Sequence, residues 1–209
     1  MTLSDSLINN LTIILVSIIT YVVSPYLTEY YKKIFDKTEP KKDEIVQALN
    51  VANLISDKVQ EIKDYVGADR VIFSQFHNGG NFIHTGQGVK RFSILVEKVT
   101  YGVRNLFPEY QGMTISFFHK YFDSIKDNRY TKIDVTNQNS EDYDLGSIFE
   151  FHGIKTRYAF AVFTFDDKFT GFLELDFVNS VTTLTEIQVK KILQETGSIG
   201  GILTNKLKK

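Results

Sequence analysis

From Ser6 to Thr28 the chain carries no charged residue (SLINNLTIILVSIITYVVSPYLT), and no other feature limits its placement as severely. The apolar centre, Leu11 to Val23, is interrupted only by Thr12, Ser17 and Thr20, whose hydroxyls can bond back to the helix's own carbonyls. About 20 such residues at 1.5 Å each cover a hydrocarbon core of roughly 30 Å, which predicts one membrane-spanning helix. A buried core helix is rarely so long without a charge. A signal peptide wants a basic start and a small-residue cleavage site, whereas Met1 to Asn10 carries Asp5 and no Lys or Arg. The expectation is therefore an uncleaved anchor: a tail and transmembrane helix over 1–28, a basic juxtamembrane linker over 29–43, and a globular domain over 44–209. Lys32, Lys33, Lys37, Lys41 and Lys42 follow the span, so the positive-inside bias places the globular part in the cytoplasm, on a single-pass protein of the inner (cytoplasmic) membrane. Tyr21, Tyr26, Tyr30 and Tyr31 fit an interfacial aromatic belt.

Beyond the linker the composition is that of a folded domain, with 43% apolar residues and 17 Phe among 209 residues. Net charge is -1 and no dense Lys/Arg block occurs after the first 45 residues, which argues against a nucleic-acid partner. Cysteine is absent, excluding disulfides, thiolate metal sites and a cysteine nucleophile. Ile45, Leu49, Ala52, Ile55, Val59, Ile62 and Val66 recur at intervals of three and four, the stripe of an amphipathic helix over 44–66 that Gly67 stops. Its seven-residue rhythm also suits pairing with a second copy, as a homodimer or higher homo-oligomer. Strands are expected at Arg70 to His77 and within Gly88 to Val99, joined by Asn78 to Gln87. A helix follows at Ser116 to Ile125, then a strand at Tyr130 to Val135 and a helix from Glu141 to Phe151. Arg157 to Phe165 is apolar on both faces, as a strand inside a covered sheet should be. DDKFTG turns the chain, FLELDFV returns it, and Thr183 to Leu207 closes as a helix with Ile187, Val189, Ile192, Leu193, Ile199, Ile202 and Leu203 on its apolar side.

The run HGIKTRYAFAVFTFDDKFTGFLELDFVNSVTTLTEIQVKKILQETGSIGGIL, His152 to Leu203, resembles the second half of a GAF domain. Gly153-Ile154 precede a buried strand, Asp166 to Gly171 form a hairpin, Phe172 to Phe177 form the return strand, and Leu184-Thr185 open a long last helix. The first half agrees in element order. The resemblance implies an α+β fold: a GAF-like antiparallel five- or six-stranded sheet with flanking helices on one face and a ligand-sized hollow on the other, here behind one N-terminal transmembrane helix. Bilin-binding members of that family attach pigment to a Cys and its sulfoxide-reducing enzymes need Cys, and this chain has none. The charged signature of cyclic-nucleotide-binding members is also missing, so no cofactor is expected. The arrangement of one span and one globular domain is similar, too, to single-span holins of large tailed phages. Those place the domain outside the cytoplasm, against the direction of the lysine flank.

The segment FSQFHNGGNFIHTGQG, Phe73 to Gly88, holds the candidate ligand residues. Period two sends Val71, Phe73, Gln75 and His77 to one face and Ile72, Ser74 and Phe76 to the other. His77, Asn78 and His84 offer donors to a small ligand or anionic group, with the amides of Gly79 and Gly80 exposed beside them and Phe82 adding an apolar contact. The alternative is that Asn78-Gly79-Gly80 only turn the chain while Phe82 and Ile83 cap the core. A metal needs three or four converging ligands, and His119 and His152 lie on other elements, so none is expected. Glu174 and Asp176 share a strand face, where they can serve acid/base work or pair with Lys155, Arg157 or another cation. No nucleophile or cofactor motif accompanies them, and GGNFIHTGQG lacks the ending of a phosphate loop, so an enzyme is not expected. The sequence thus points to a membrane-anchored GAF-like sensor or protein-interaction module, with the lipid bilayer and a small molecule or regulatory protein as partners. The alternative is a holin-like lysis protein that forms membrane lesions and carries a regulatory domain.

Overall fold

A computed structural model describes residues 14, 16–17, 19–36, 44–81, 88–135 and 145–207, in two compact units, Met1–Glu44 and Ile45–Lys209. In the first unit a π-helical turn, Ile19–Val23, leads into helix α1, Ser24–Asp36. Pro25 has no N–H to give the carbonyl of Tyr21, and the wider turn lies immediately before it, so the single uniform helix expected here is modified at that point. The Thr20 hydroxyl donates to the carbonyl of Val16 at 2.8 Å, as expected, and that of Thr28 to Ser24 at 2.8 Å. Among the described residues no helix is long and apolar enough to cross a membrane. The expected span falls partly on residues 1–13, 15 and 18, outside the described set, as does the linker's TEPKKD.

The second unit begins with α2, Glu44–Val66. Gly67, at φ +65°, ends it, and the N–H of Ala68 reaches back to the carbonyl of Lys63 at 3.2 Å, a closing pair that needs a left-handed residue between. Six strands follow: β1 Arg70–Asn81, β2 Gly88–Val99, β3 Met113–Thr114, β4 Tyr130–Asp134, β5 Thr156–Phe163 and β6 Phe169–Phe177. They form one sheet in the order β3-β2-β1-β6-β5-β4, with every pairing antiparallel. Between β3 and β4 lie a 3₁₀ turn, Ile115–Phe118, and α3, His119–Asn128; α4, Gly146–Phe151, precedes β5. Of the helix expected from Glu141, residues 141–144 lie outside the described set. The last helix, α5, Glu186–Leu207, opens with a reciprocal cap: Thr185 Oγ1 accepts from the N–H of Gln188 at 3.2 Å and Gln188 Oε1 from the N–H of Thr185 at 2.9 Å, satisfying two donors that a helix start leaves over.

Both faces of the sheet are covered. On one, Ile55, Val59 and Ile62 of α2 and Ile192, Ile199 and Leu203 of α5 bury against Phe73, Phe160, Leu173 and Leu175. On the other, Phe118, Tyr121, Phe122 and Ile125 bury against Phe92, Ala159, Ala161 and Phe172. The hollow implied opposite the helices is thus largely filled by aromatic rings. Ile187, expected on the apolar side of α5, is exposed, because it precedes the first residue of the helix that reaches the sheet, Val189.

Two corrections follow from β1 and β2. The β1 strand does not stop at His77, because pairing continues to Asn81 opposite Gly88, so Asn78 to Gly80 belong to the strand and the connection narrows to 82–87. Gly80 does take positive φ, +92°, at the irregularity between Asn78 and Asn81. Gly79 serves a different need, since a Cβ there would stand 2.6 Å from Cδ and Nε of Arg91. On β2 the register shifts as Phe73 pairs Val96 and Ser74 pairs Ile94, leaving Leu95 as an extra residue. This bulge puts Phe92 and Val96 on opposite faces although they are four residues apart.

The helix layer lies close against the sheet at Gly200, where a Cβ would meet the carbonyl oxygen of Phe163 at 1.9 Å. Gly200→Ala is expected to lower stability by about 1–3 kcal/mol as the backbones part. Gly197 has nothing within 4 Å of its Cβ position, so Gly197→Ala should raise it by about 0.5–1 kcal/mol. Urea unfolding of the two variants reads both signs.

Candidate functional site

Two sites on the aromatic face carry polar chemistry. The first is a row of charge across three strands, because register places Arg70 of β1 and Arg157 of β5 on either side of Asp176 of β6. All three are essentially removed from solvent. Arg70 Nε donates to Asp176 Oδ2 at 2.8 Å, while Arg157 donates through Nε to Oδ1 at 2.6 Å and through Nη2 to Oδ2 at 2.9 Å. Arg157 Nη1 also donates to Glu174 Oε1 at 2.7 Å, and the Tyr121 hydroxyl of α3 to the same oxygen at 2.5 Å. Arg70 Nη1 donates to the carbonyl of Arg104 at 2.7 Å, fastening the segment between β2 and β3. The expected alternative role of Glu174 and Asp176, as ion partners, describes this site. Arg157 is one partner as expected; Lys155 turns instead to the carbonyl of Asn179.

The two carboxyls respond in opposite directions. Burial pushes Glu174 up and outweighs Arg157. Burial also opposes ionisation of Asp176, yet the two guanidinium groups together hold it below the usual carboxylate range. Burial raises Tyr121 well above its ordinary value and Tyr110 to about 12, so both phenols stay protonated. His152, buried at the end of α4 with Nε2 3.4 Å from Glu109, is pushed down by burial, and its Nδ1 has no hydrogen-bond partner among the described residues.

The second site is a cleft of about 650 Å³ at the end of the sheet where β1 and β2 project beyond β6. Its floor is Phe76, Phe122 and Phe169, with the Phe76 ring centroid 5.3 Å and 4.8 Å from the other two, edge to face. The rim is polar: His77, Asn78 and Lys90 on the strand arm, Asp123 and Lys126 on α3, Asp166 and Lys168 on the β5–β6 turn. Lys90 Nζ donates to Asn78 Oδ1 at 2.5 Å, and His77 Nε2 lies 2.9 Å from Ser93 Oγ. Bonds from Lys168 and Thr164 bring Asp166 down to about 2. Of the residues expected to hold a ligand, His77 and Asn78 line this cleft, whereas Gly79 and Gly80 lie in the adjoining strand and not in the lining. Phe82 and His84 fall outside the described residues. Phe76, Phe122, Lys126 and Phe169 are not legible in the sequence as site residues, since they come from three separate elements. Among the described residues no group of three or more His, Asp or Glu side chains is placed to hold a metal ion.

No protein-family model and no curated protein matches the chain. Solved structures do. A phycoerythrobilin-bound GAF domain from a cyanobacterial phytochrome matches with TM-score 0.58 and 13% identity, over 78% of this chain and 89% of that one. A far-red cyanobacteriochrome photoreceptor matches with TM-score 0.59 and 16% identity, over 88% and 99%. The blue-light absorbing form of the Thermosynechococcus elongatus PixJ GAF domain matches with TM-score 0.59 and 12% identity, over 78% and 90%. At these identities the likeness is one of fold, and the fold of this chain is GAF-like: α+β, with a six-stranded antiparallel sheet and flanking helices.

Arg157→Met should cost about 3–5 kcal/mol, because it leaves two carboxylates buried with half their cations. The pH profile carries two signs. Asp176 is depressed in the fold from 3.8, so its contribution is present above about pH 4 and is lost as pH falls through the lower folded value. Glu174 is raised, so its contribution is full below its unfolded value of 4.5 and is lost as pH rises through the folded one. Stability is expected to grow on mild acidification and then fall below about pH 4; Asp176→Asn should lack the second limb in urea titrations run across pH.

Proposed function

We propose that the chain is a non-enzymatic sensor or interaction module of GAF-like fold, held at a membrane by its N-terminal apolar segment, whose cleft beside the β1–β2 arm takes a small molecule. The observation that carries this is the cleft itself. Its roughly 650 Å³ falls in the range of ligand pockets, about 300–1,000 Å³, and an aromatic floor with a few polar groups at the rim is their usual make-up. Among the structural neighbours, one holds phycoerythrobilin and another phycocyanobilin, which supports a small-molecule guest. A guest of this chain is held without a thioether, because there is no cysteine to form one. His77 and Asn78 contribute hydrogen bonds at the rim, and Lys90 and Lys126 offer cations to an acidic group of the guest, while Lys168 is paired with Asp166 at 2.7 Å.

The tether is supported by the uncharged run Ser6 to Thr28 and by the exposure of Ile14, Val16, Ile19, Tyr26 and Leu27 within the first unit. The lysine flank favours a cytoplasmic globular domain. Ligand occupancy acts on a partner or on α2 only so far as the guest binds one arrangement better than another. The lysis alternative finds no support in the fold or in the comparisons.

Two measurements test the reading separately. Cells expressing the full chain are lysed and their membranes washed with alkaline carbonate; the protein should remain in the pellet, and recovery in the wash overturns the tether. The purified full chain is then heated with biliverdin and with a set of planar aromatic carboxylates. A guest at about 100 times its Kd adds roughly 2.7 kcal/mol and raises Tm by several degrees. Lys126→Glu with Lys90→Glu, both at the exposed rim, should abolish the rise without lowering the unliganded Tm. No rise with any compound, or a rise that the double variant keeps, overturns the cleft as the site.

A further inference from the structure

The cleft lies where two strands of the sheet separate. Pairing between β1 and β6 ends at Gln75 with Gly171, whereas β1 goes on pairing β2 as far as Asn81 with Gly88. From Phe76 to Asn81, β1 therefore has a strand neighbour on one side only. The cause is a bulge in β6. On its other side β6 pairs Gly171 with Val162 and Phe169 with Phe163, so Thr170 is an extra residue with no pair in β5 and none in β1. Such an insertion bends its strand, and here it carries the start of β6 away from β1. Phe76, His77 and Asn78 on one bank and Phe169 and Thr170 on the other all line the cleft.

On an antiparallel strand the N–H and C=O of one residue point the same way, and successive residues point to opposite neighbours. An open edge thus offers a donor beside an acceptor at every second residue, a template for any molecule that can match the pair. Within the stretch, His77 Nδ1 lies 3.4 Å from the carbonyl of Asn78, longer than a well-formed N–H···O bond. The rest of the lining restricts what can lie against this edge. Phe76, Phe122 and Phe169 make a floor for a flat apolar body. At the rim Asp166 is taken by Lys168 at 2.7 Å, and of the remaining lining charges Lys90 and Lys126 outnumber Asp123. Lys90 spends one N–H on Asn78 Oδ1, which leaves it two. Lys126 lies 3.4 Å from Asp127, but both are exposed, and water screens such a pair.

We propose that the guest is a planar cyclic amide bearing a carboxylate, an inference that rests on the cleft proposed above as the site. Its lactam N–H and C=O pair with one residue of β1 between Phe76 and Asn78, in the place that β6 vacates. Its ring lies on the aromatic floor, and its carboxylate faces Lys90 and Lys126. A lactam holds its N–H and C=O on one side, as a paired residue of a neighbouring strand does, so two bonds form with the backbone alone. An aromatic acid without the amide turns an apolar edge to those backbone groups and leaves them without a partner.

Three ligands of similar size separate these claims. Carbostyril carboxylate is a fused-ring lactam; its N-methyl derivative keeps the carbonyl and loses the donor; naphthoate keeps the rings and the acid and has no amide. Titrated calorimetrically into the purified full chain, the lactam should bind at least about tenfold more tightly than either of the others, the ratio expected for one lost hydrogen bond. Hydrogen exchange should show amides within Phe76 to Asn78 slowed by the lactam more than by naphthoate at equal occupancy. Equal affinity for the three ligands overturns the cyclic amide and leaves the cleft standing as a site for aromatic acids. Tighter binding of the lactam without that added slowing at Phe76 to Asn78 overturns the strand edge as its partner. Binding of none of the three overturns this inference as a whole, and the melting series with biliverdin then decides separately whether the cleft is a site.

Discussion

The sheet is organised around one carboxylate held by two guanidinium groups. Strands β5 and β6 are buried on both faces, so burial alone would tolerate a slip of two residues between their apolar positions. A slip of two would separate Arg157 from Asp176 and leave each charge buried without its partner, at a cost of several kcal/mol. Buried ion pairs add little net stability over apolar packing; here the row selects one register among several that burial would accept. The same charges reach outward from the sheet. Glu174 ties down α3 through Tyr121, and Arg70 ties down the chain after β2 through the carbonyl of Arg104. Asp69 completes the corner by accepting from the backbone N–H groups of Val178 and Asn179 at 2.7 and 3.1 Å.

The cleft is a consequence of what this row leaves room for. Ala159 and Ala161 are small where α3 crosses β5, so the rings of Phe122 and Phe172 meet at 5.0 Å and fill the middle of the face. Space remains toward the end of the sheet, past the last β1–β6 pair, Gln75 with Gly171. At that pair a Cβ on Gly171 would lie 2.3 Å from the carbonyl oxygen of Ser74, so the floor begins where two backbones touch. A guest therefore sits against aromatic edges, with the charged row further along the same face.

Much of this architecture can be read in the chain, and the reasons are local. Alternation in Arg70 to Phe76 assigns the faces of β1 correctly. Gly67 stops α2, and Thr185 with Gln188 starts α5, because each acts through its own backbone within a few residues. The misreadings are equally physical. Asn78-Gly79-Gly80 has the composition of a turn, yet one glycine answers to a side chain on the neighbouring strand, which no local pattern reveals. Arg70 looks like a polar residue at a strand start until register places it opposite Asp176. Site residues on β1, α3 and β6 converge only in three dimensions, and of the cleft only His77 and Asn78 carry a signal of their own.

The single additional residue at Leu95 has a genetic consequence. Upstream of it β2 serves the aromatic face at Phe92 and Ile94; downstream it serves the helix-covered face at Val96. Losing one codon from this stretch would straighten the strand and turn either Phe92 or Val96 to the wrong side. In this strand, length is under tighter constraint than side-chain identity, because a substitution alters one contact whereas a deletion inverts a whole half of the strand.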